Sequence, residues 1–226
     1  MAATHPGWCA TSCGEVILTP PAVGTLADTV AACCGSDTLA AAAIGIACMT
    51  KRPEHFVTWL AYHRDYLGVR RFFVHVEDTP ELADEMRRPP WDALVEVSEA
   101  SGTKRDYVSQ VERQAAHVNR AIRLARAAGL THLLHIDDDE LLYCHRGVGA
   151  LRAELAAATT VSVHLHNLEA LYPSAECADP FRETCAFRHR PPAFAAYSNG
   201  KSFGALRFSR LAPHGAHTPH AHATAS

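Results

Sequence analysis

Between Ile44 and His166, short apolar runs alternate with longer stretches of helical periodicity, and this alternation limits the chain to few architectures. Ile44–Met49, Arg71–Val76, Ala93–Val97, Leu133–Ile136 and Val161–His166 read as strands. Phe56, Trp59, Leu60, His63 and Leu67 recur at helical spacing behind Pro53, which suits a first helical turn, and Gly68 closes that helix. Asp106 is placed to cap a long helix with the stripe Val108, Val111, Ala115, Val118, Ile122 and Ala125, ended by Gly129. A further amphipathic helix is expected near Val148–Ala157 and a last strand at Phe203–Phe208. Strands alternating with helices predict an α/β fold of three layers, α/β/α, around a mostly parallel central sheet. Ligands of such sheets sit beyond the carboxyl ends of the strands.

Those ends are polar here. Thr50-Lys51-Arg52, Glu77-Asp78 and Asp137-Asp138-Asp139-Glu140 each follow an apolar run and converge on one rim. Four adjacent acids repel one another, so a fold keeps them by neutralising or solvating them. Hard divalent cations such as Mg²⁺ or Mn²⁺ prefer carboxylate oxygens and would neutralise them. A solvated acidic turn is the alternative.

At 226 residues, 48% hydrophobic and 20% charged, the chain can bury a sizeable core. A formal net charge of -3 offers no electrostatic attraction for nucleic acid, which is not expected as a partner. The most apolar window, Leu39–Met49, is too short for a membrane span, and the first residues lack the basic start of a secretory signal. None of the eight cysteines forms a C-x-x-C pair, so no structural zinc site is expected. Cys9 with Cys13, or Cys177 with Cys185, could be disulfides; reduced thiols fit equally, and the compartment stays open. Residues 1–42 read as a loosely structured N-terminal extension, 43–212 as the folded domain and 213–226 as a His-rich flexible tail.

Two separated blocks carry a family resemblance. The first is Cys48-Met49-Thr50-Lys51, followed by Phe56-Val57-Thr58-Trp59-Leu60-Ala61-Tyr62-His63 and Leu67-Gly68-Val69. The second is His132-Leu133-Leu134-His135-Ile136-Asp137-Asp138-Asp139-Glu140-Leu141-Leu142. In this order and spacing they resemble the nucleotide-diphospho-sugar glycosyltransferases of the GT-A fold, in particular the glycosyltransferase family 2-like group and glycosyltransferase family 92. Thr58 stands where the family has Glu, and Glu77-Asp78-Thr79 where an Asp-Asn-x-Ser pattern is usual.

The resemblance implies a metal-dependent, hexosyltransferase-like enzyme that moves a sugar from a nucleotide-sugar donor, with UDP the implied nucleotide, to a hydroxyl acceptor. The acceptor would be a glycan, glycoprotein or glycolipid, and association with Golgi or other secretory membranes is implied by the same kinship. A non-catalytic nucleotide- or carbohydrate-binding relative is the alternative. Asp137 and Asp139 correspond to the Asp-x-Asp pair that holds Mn²⁺ or Mg²⁺ against the donor diphosphate. Asp139 would be the direct ligand, and Asp137 would reach the ribose or the metal through water. A strand continuing through both would turn them to one side. Lys51 would offset phosphate charge and Asp78 would contact the nucleoside. His214, or His217, would complete the metal shell. Inverting transfer needs a carboxylate base; Glu169 is the first choice, ahead of Glu176 and Asp179. Tyr62 and His63 read as packing residues, and Gln110 and Gln114 lie off the helical stripe without an assigned role.

Overall fold

A computed structural model describes residues 42–104, 106–144, 146–171, 174, 176–184 and 200–208, with the backbone of three further short strands and, at Glu169, the backbone alone. In chain order the strands are β1 (Trp8–Ala10), β2 (Val16–Leu18), β3 (Ile44–Thr50), β4 (Arg71–Glu77), β5 (Val95–Ala100), β6 (His132–His135), β7 (Ser162–Leu165), β8 (Glu169–Leu171), β9 (Ala186–Arg188) and β10 (Lys201–Ala205). The helices are α1 (Phe56–Asp65), α2 (Pro80–Met86), α3 (Tyr107–Ala127), α4 (Gly147–Ala157) and α5 (Pro180–Glu183).

Six strands form the central sheet in the order β5-β4-β3-β6-β10-β7. The first four are parallel, with β3 paired to both β4 and β6, while β10 runs antiparallel between β6 and β7. The expected mostly parallel α/β fold is therefore the fold observed. Both faces of its middle strands are buried, as parallel sheets require. Ile44, Ile46 and Cys48 of β3, with Phe72, Val74 and Val76 of β4, pack against Trp59 and Leu60 of α1, Met86 of α2 and Leu155 of α4. The alternate residues Ala43, Ala47, Phe73 and Leu133 meet Val118, Ala121, Ile122 and Ala125 of α3. On that face β3 and the residue before it present the small Ala43, Gly45 and Ala47, which lets α3 approach. A Cβ on Gly45 would stand 2.6 Å from Leu130 Cδ1.

Helix α3 is capped by Asp106, whose carboxylate accepts from the Ser109 N–H at 2.9 Å, and Gly129 follows it at φ 70°. Its buried face differs from the expected stripe. Val108, in the first turn of α3, is 66% exposed, whereas Gln114 and His117 are buried. His117 Nε2 lies 3.0 Å from the Phe73 carbonyl, so the polar side chain is accepted in the core by a hydrogen bond. Strand β5 starts two residues later than expected, since Trp91–Leu94 is a turn closed by the Leu94 N–H on the Trp91 carbonyl. Strand β10 begins two residues earlier than expected, at the polar Lys201-Ser202, which an apolar pattern does not reveal.

Inside residues 1–42, read as a loose extension, β1 and β2 pair with one another and β2 pairs with β9. With β8 they make a second sheet in the order β1-β2-β9-β8. Three-residue strands are too short to register as a periodic pattern. His214 and His217 lie outside the described residues.

Candidate functional site

The carboxyl ends of β3, β4 and β6 deliver their polar residues to one rim, and the antiparallel β10 begins there. Phe203 pairs with Leu134, so Lys201 comes level with Ile136, immediately before the four acids. Gly200 makes this entry possible. It sits at φ 57°, and a Cβ on it would lie 2.0 Å from the Leu165 carbonyl oxygen.

Strand β6 stops at His135, so the acids do not continue it. They form a tight loop in which the Asp137 N–H donates to Glu140 Oε2 at 3.0 Å and the Glu140 N–H to the Asp137 carbonyl at 3.3 Å. The strand alternation expected to aim Asp137 and Asp139 together therefore does not operate, because a turn rotates each successive side chain differently. Asp137 Oδ2 receives Lys201 Nζ at 2.6 Å, and Glu140 Oε2 lies 3.2 Å from the same ammonium. Asp138 turns inward and accepts from the Thr50 hydroxyl. Asp139 is exposed and has no hydrogen-bond or ion-pair partner among the described residues.

The electrostatics follow from these surroundings. Burial raises the pKa of Asp138, and the charges of Asp139 and Asp137 push the same way against the Thr50 hydrogen bond. Burial likewise raises that of Glu140, opposed by the Lys201 charge. For Lys201, burial works downward, but Glu140 and Asp137 outweigh it and the net shift is upward, keeping the ammonium charged.

A second cluster ties the neighbouring strand ends. Asp78 Oδ2 accepts from Lys51 Nζ at 2.5 Å and from the Thr103 hydroxyl at 2.8 Å, while Oδ1 accepts from the Gly102 N–H at 2.6 Å. The Lys51 and Thr103 hydrogen bonds hold the Asp78 carboxyl well below the usual carboxylate range. Lys51 and Asp78, expected as separate donor contacts, thus meet each other. Glu77 turns under the sheet instead, nearly buried, where Arg113 of α3 grips it through Nε and Nη2.

Asp78 (φ 49°), Arg52 (φ 50°) and His55 (φ 55°) are the non-glycine residues in the left-handed region among the described residues, and all three lie in the segments that leave β3 and β4. Each such conformation costs about 1–3 kcal/mol and persists only where the surroundings enforce it. Beside them a cleft of about 380 Å³ is lined by Arg52, Pro53, Thr79, Glu81, Leu82 and Glu85, a volume within the range of small-molecule sites.

Helix α1 holds the acidic loop from beneath. Trp59 Nε1 donates to the Glu140 carbonyl at 2.7 Å, and the Tyr62 hydroxyl to the Leu142 carbonyl at 3.0 Å. The Leu142 N–H donates to His63 Nε2 at 3.4 Å, while His63 Nδ1 lies 2.9 Å from the Trp59 carbonyl. His63 is therefore neutral with its proton on Nδ1, and burial lowers its pKa to about 3. Tyr62 and His63 pack as expected, and in addition they fix the loop backbone. Their spacing of three and four from Trp59 signals a shared helical face; which backbone groups that face would meet is settled by long-range packing.

Glu169 opens β8 in the smaller sheet, opposite Arg188. Asp179 caps α5 by accepting from the Phe181 N–H at 3.1 Å and also receives the Thr58 hydroxyl at 3.3 Å. Lys201 was not among the residues expected at the site, because a lone lysine far along the chain carries no motif. Among the described residues no three metal-ligating side chains converge, and no helix is long and apolar enough to cross a membrane.

No family model matches the chain. A glycosyltransferase-like protein of Arabidopsis thaliana is 25% identical over 215 residues, an alignment taking in 76% of this chain. The chain spans about half of that relative, 47% of its length. Among solved structures, the crystal structure of 4-diphosphocytidyl-2C-methyl-D-erythritol synthase is 14% identical with a TM-score of 0.35, covering 73% of this chain and 75% of that one. A likeness that distant says nothing about this chain's chemistry.

Proposed function

We infer that this chain is a glycosyltransferase of the GT-A type whose nucleotide-sugar donor binds on the rim formed by β3, β4 and β6. The observation that carries this reading is the acidic loop at the carboxyl end of β6, with three acids engaged and Asp139 left open to solvent. The glycosyltransferase-like relative supports the same class.

A departing nucleoside diphosphate gathers negative charge, and carboxylates alone would repel it. The donor set suits Mn²⁺ or Mg²⁺, because it offers only hard oxygen ligands. Sites for Mg²⁺ commonly use one or two carboxylates plus substrate phosphates, so two acids suffice without an all-protein cage. Asp139 would hold the ion directly, with Asp137 beside it; when bound, the ion supplies Lewis-acid stabilisation of the diphosphate. Lys51, held by Asp78, would stand at the rim as a contact for the phosphates. The cleft beside Arg52 and Thr79 would take the nucleoside, with Asp78, the residue before the lining Thr79, as its contact. UDP is the nucleotide the family resemblance favours, and Glu169 is the residue we assign as base toward a hydroxyl acceptor.

The test is a thermal-shift panel of UDP, GDP, CDP and ADP, each with and without Mn²⁺, on the wild type and Asp139→Asn, followed by donor-consumption assays with sugar conjugates of the nucleotide that binds, in the presence of hydroxyl acceptors. A metal-dependent stabilisation by one nucleotide, lost in Asp139→Asn although that variant melts normally by itself, is the expected result. No shift with any nucleotide would end the donor-site assignment. Binding without donor consumption would instead favour a non-catalytic nucleotide-binding relative.

A further inference from the structure

Lys201 meets two acids of the rim, and the proposed function gives it no task. Its ammonium lies 2.6 Å from Asp137 Oδ2 and 3.2 Å from Glu140 Oε2, with the side chain only 16% exposed. Gly200 fixes the approach, since its backbone conformation and the nearby Leu165 carbonyl leave no room for a side chain. The ammonium thus stands in for the cation that the acidic loop would otherwise attract.

We propose that Lys201 sets the cation affinity of this rim, so that the free protein binds a divalent metal weakly and binds it well only together with a nucleoside diphosphate. The inference rests on the donor-site reading above, in which Asp139 holds the metal directly with Asp137 beside it. With Lys201 on Asp137, the acidic loop offers one carboxylate, Asp139, that no described residue engages, and a nearby positive charge that repels a second cation. A diphosphate changes this balance by adding oxygen ligands and negative charge on the same side. Metal and nucleotide then raise one another's affinity by the same factor, as linkage requires. Such a coupling would keep the acids neutralised in the resting protein and confine metal binding to the donor complex.

The experiment is a Mn²⁺ titration followed by electron paramagnetic resonance of the free ion, without nucleotide, on the wild type, Lys201→Met and Lys201→Arg. Lys201→Met should bind Mn²⁺ more tightly by about tenfold, within the span usual for coupled sites. Lys201→Arg, which keeps the charge, should behave as the wild type. Equal affinity in the wild type and Lys201→Met, with both binding Mn²⁺ in the presence of UDP, would overturn the role of Lys201 while leaving the donor site standing. No binding in any variant, even with UDP, would overturn both.

Loss of a buried charge partner can unfold a protein, so a second measurement uses the wild type alone. In protein labelled with ¹³C at lysine Cε, the Lys201 signal should stay in place on adding Mg²⁺ and move on adding Mg²⁺ with UDP. Movement with Mg²⁺ alone would overturn the inference.

Discussion

Gly200 and the four acids show how much one residue's surroundings decide. Gly200 adopts φ 57°, with a virtual Cβ 2.0 Å from the Leu165 carbonyl oxygen and 2.8 Å from His164 Nε2. A backbone carbonyl at that distance cannot swing away as a flexible side chain could. Gly200→Ala should therefore destabilise the protein by at least about 2 kcal/mol, the left-handed backbone and the overpacking contributing together. Urea denaturation checks this, and an unchanged midpoint would show that the strand entry relaxes freely. Asp137, Asp138, Asp139 and Glu140 are alike as residue types, yet one meets Lys201, one meets Thr50, one faces solvent and one bridges Lys201 to the loop backbone. The acids were legible in the sequence as a cluster. Their division of labour was not, because both partners come from strands far away in the chain.

At the level of elements, α1 and the acidic loop form one unit. The helix is amphipathic enough to be read from spacing, and the loop from its charges, but their connection runs through side chain to backbone hydrogen bonds over about eighty residues of sequence. Tyr62→Phe removes only the hydroxyl that serves the Leu142 carbonyl. It should cost about 1–2 kcal/mol, since a part-buried carbonyl loses its donor. Hydrogen exchange over residues 137–142 should quicken, with β4 unaffected. Equal exchange in the variant would mean that Trp59 and His63 hold the loop without help.

Across the whole molecule, buried neutral histidines couple stability to pH. Burial lowers His63 to about 3, and burial with the charge of His75 lowers His117 to about 3. The unfolded chain takes up these protons near pH 6.5 while the folded one refuses them. Stability from this source is fully present above about pH 6.5 and declines as pH falls toward 3, by at most about 1.4 kcal/mol per pH unit for each histidine. Asp138 and Glu140, raised by burial, act in the opposite sense nearer the carboxylate range, so the fall is cleanest just below pH 6.5. Urea midpoints at pH 7, 6 and 5 test this; a flat profile would show that the core admits the protons.

The sequence by itself determined the alternation of strands and helices, the mostly parallel sheet, the buried faces of β3 and β4, and the delivery of polar residues to one rim. Each of these follows from local periodicity and from what ends a strand or caps a helix. Only the tertiary structure decided that Lys201 neutralises Asp137 and Glu140, that Lys51 and Asp78 clasp one another, that Glu77 turns under to Arg113, and that Gln114 is buried. These depend on strand register and on where β10 inserts, and a pairing between distant residues leaves no periodic trace in either segment.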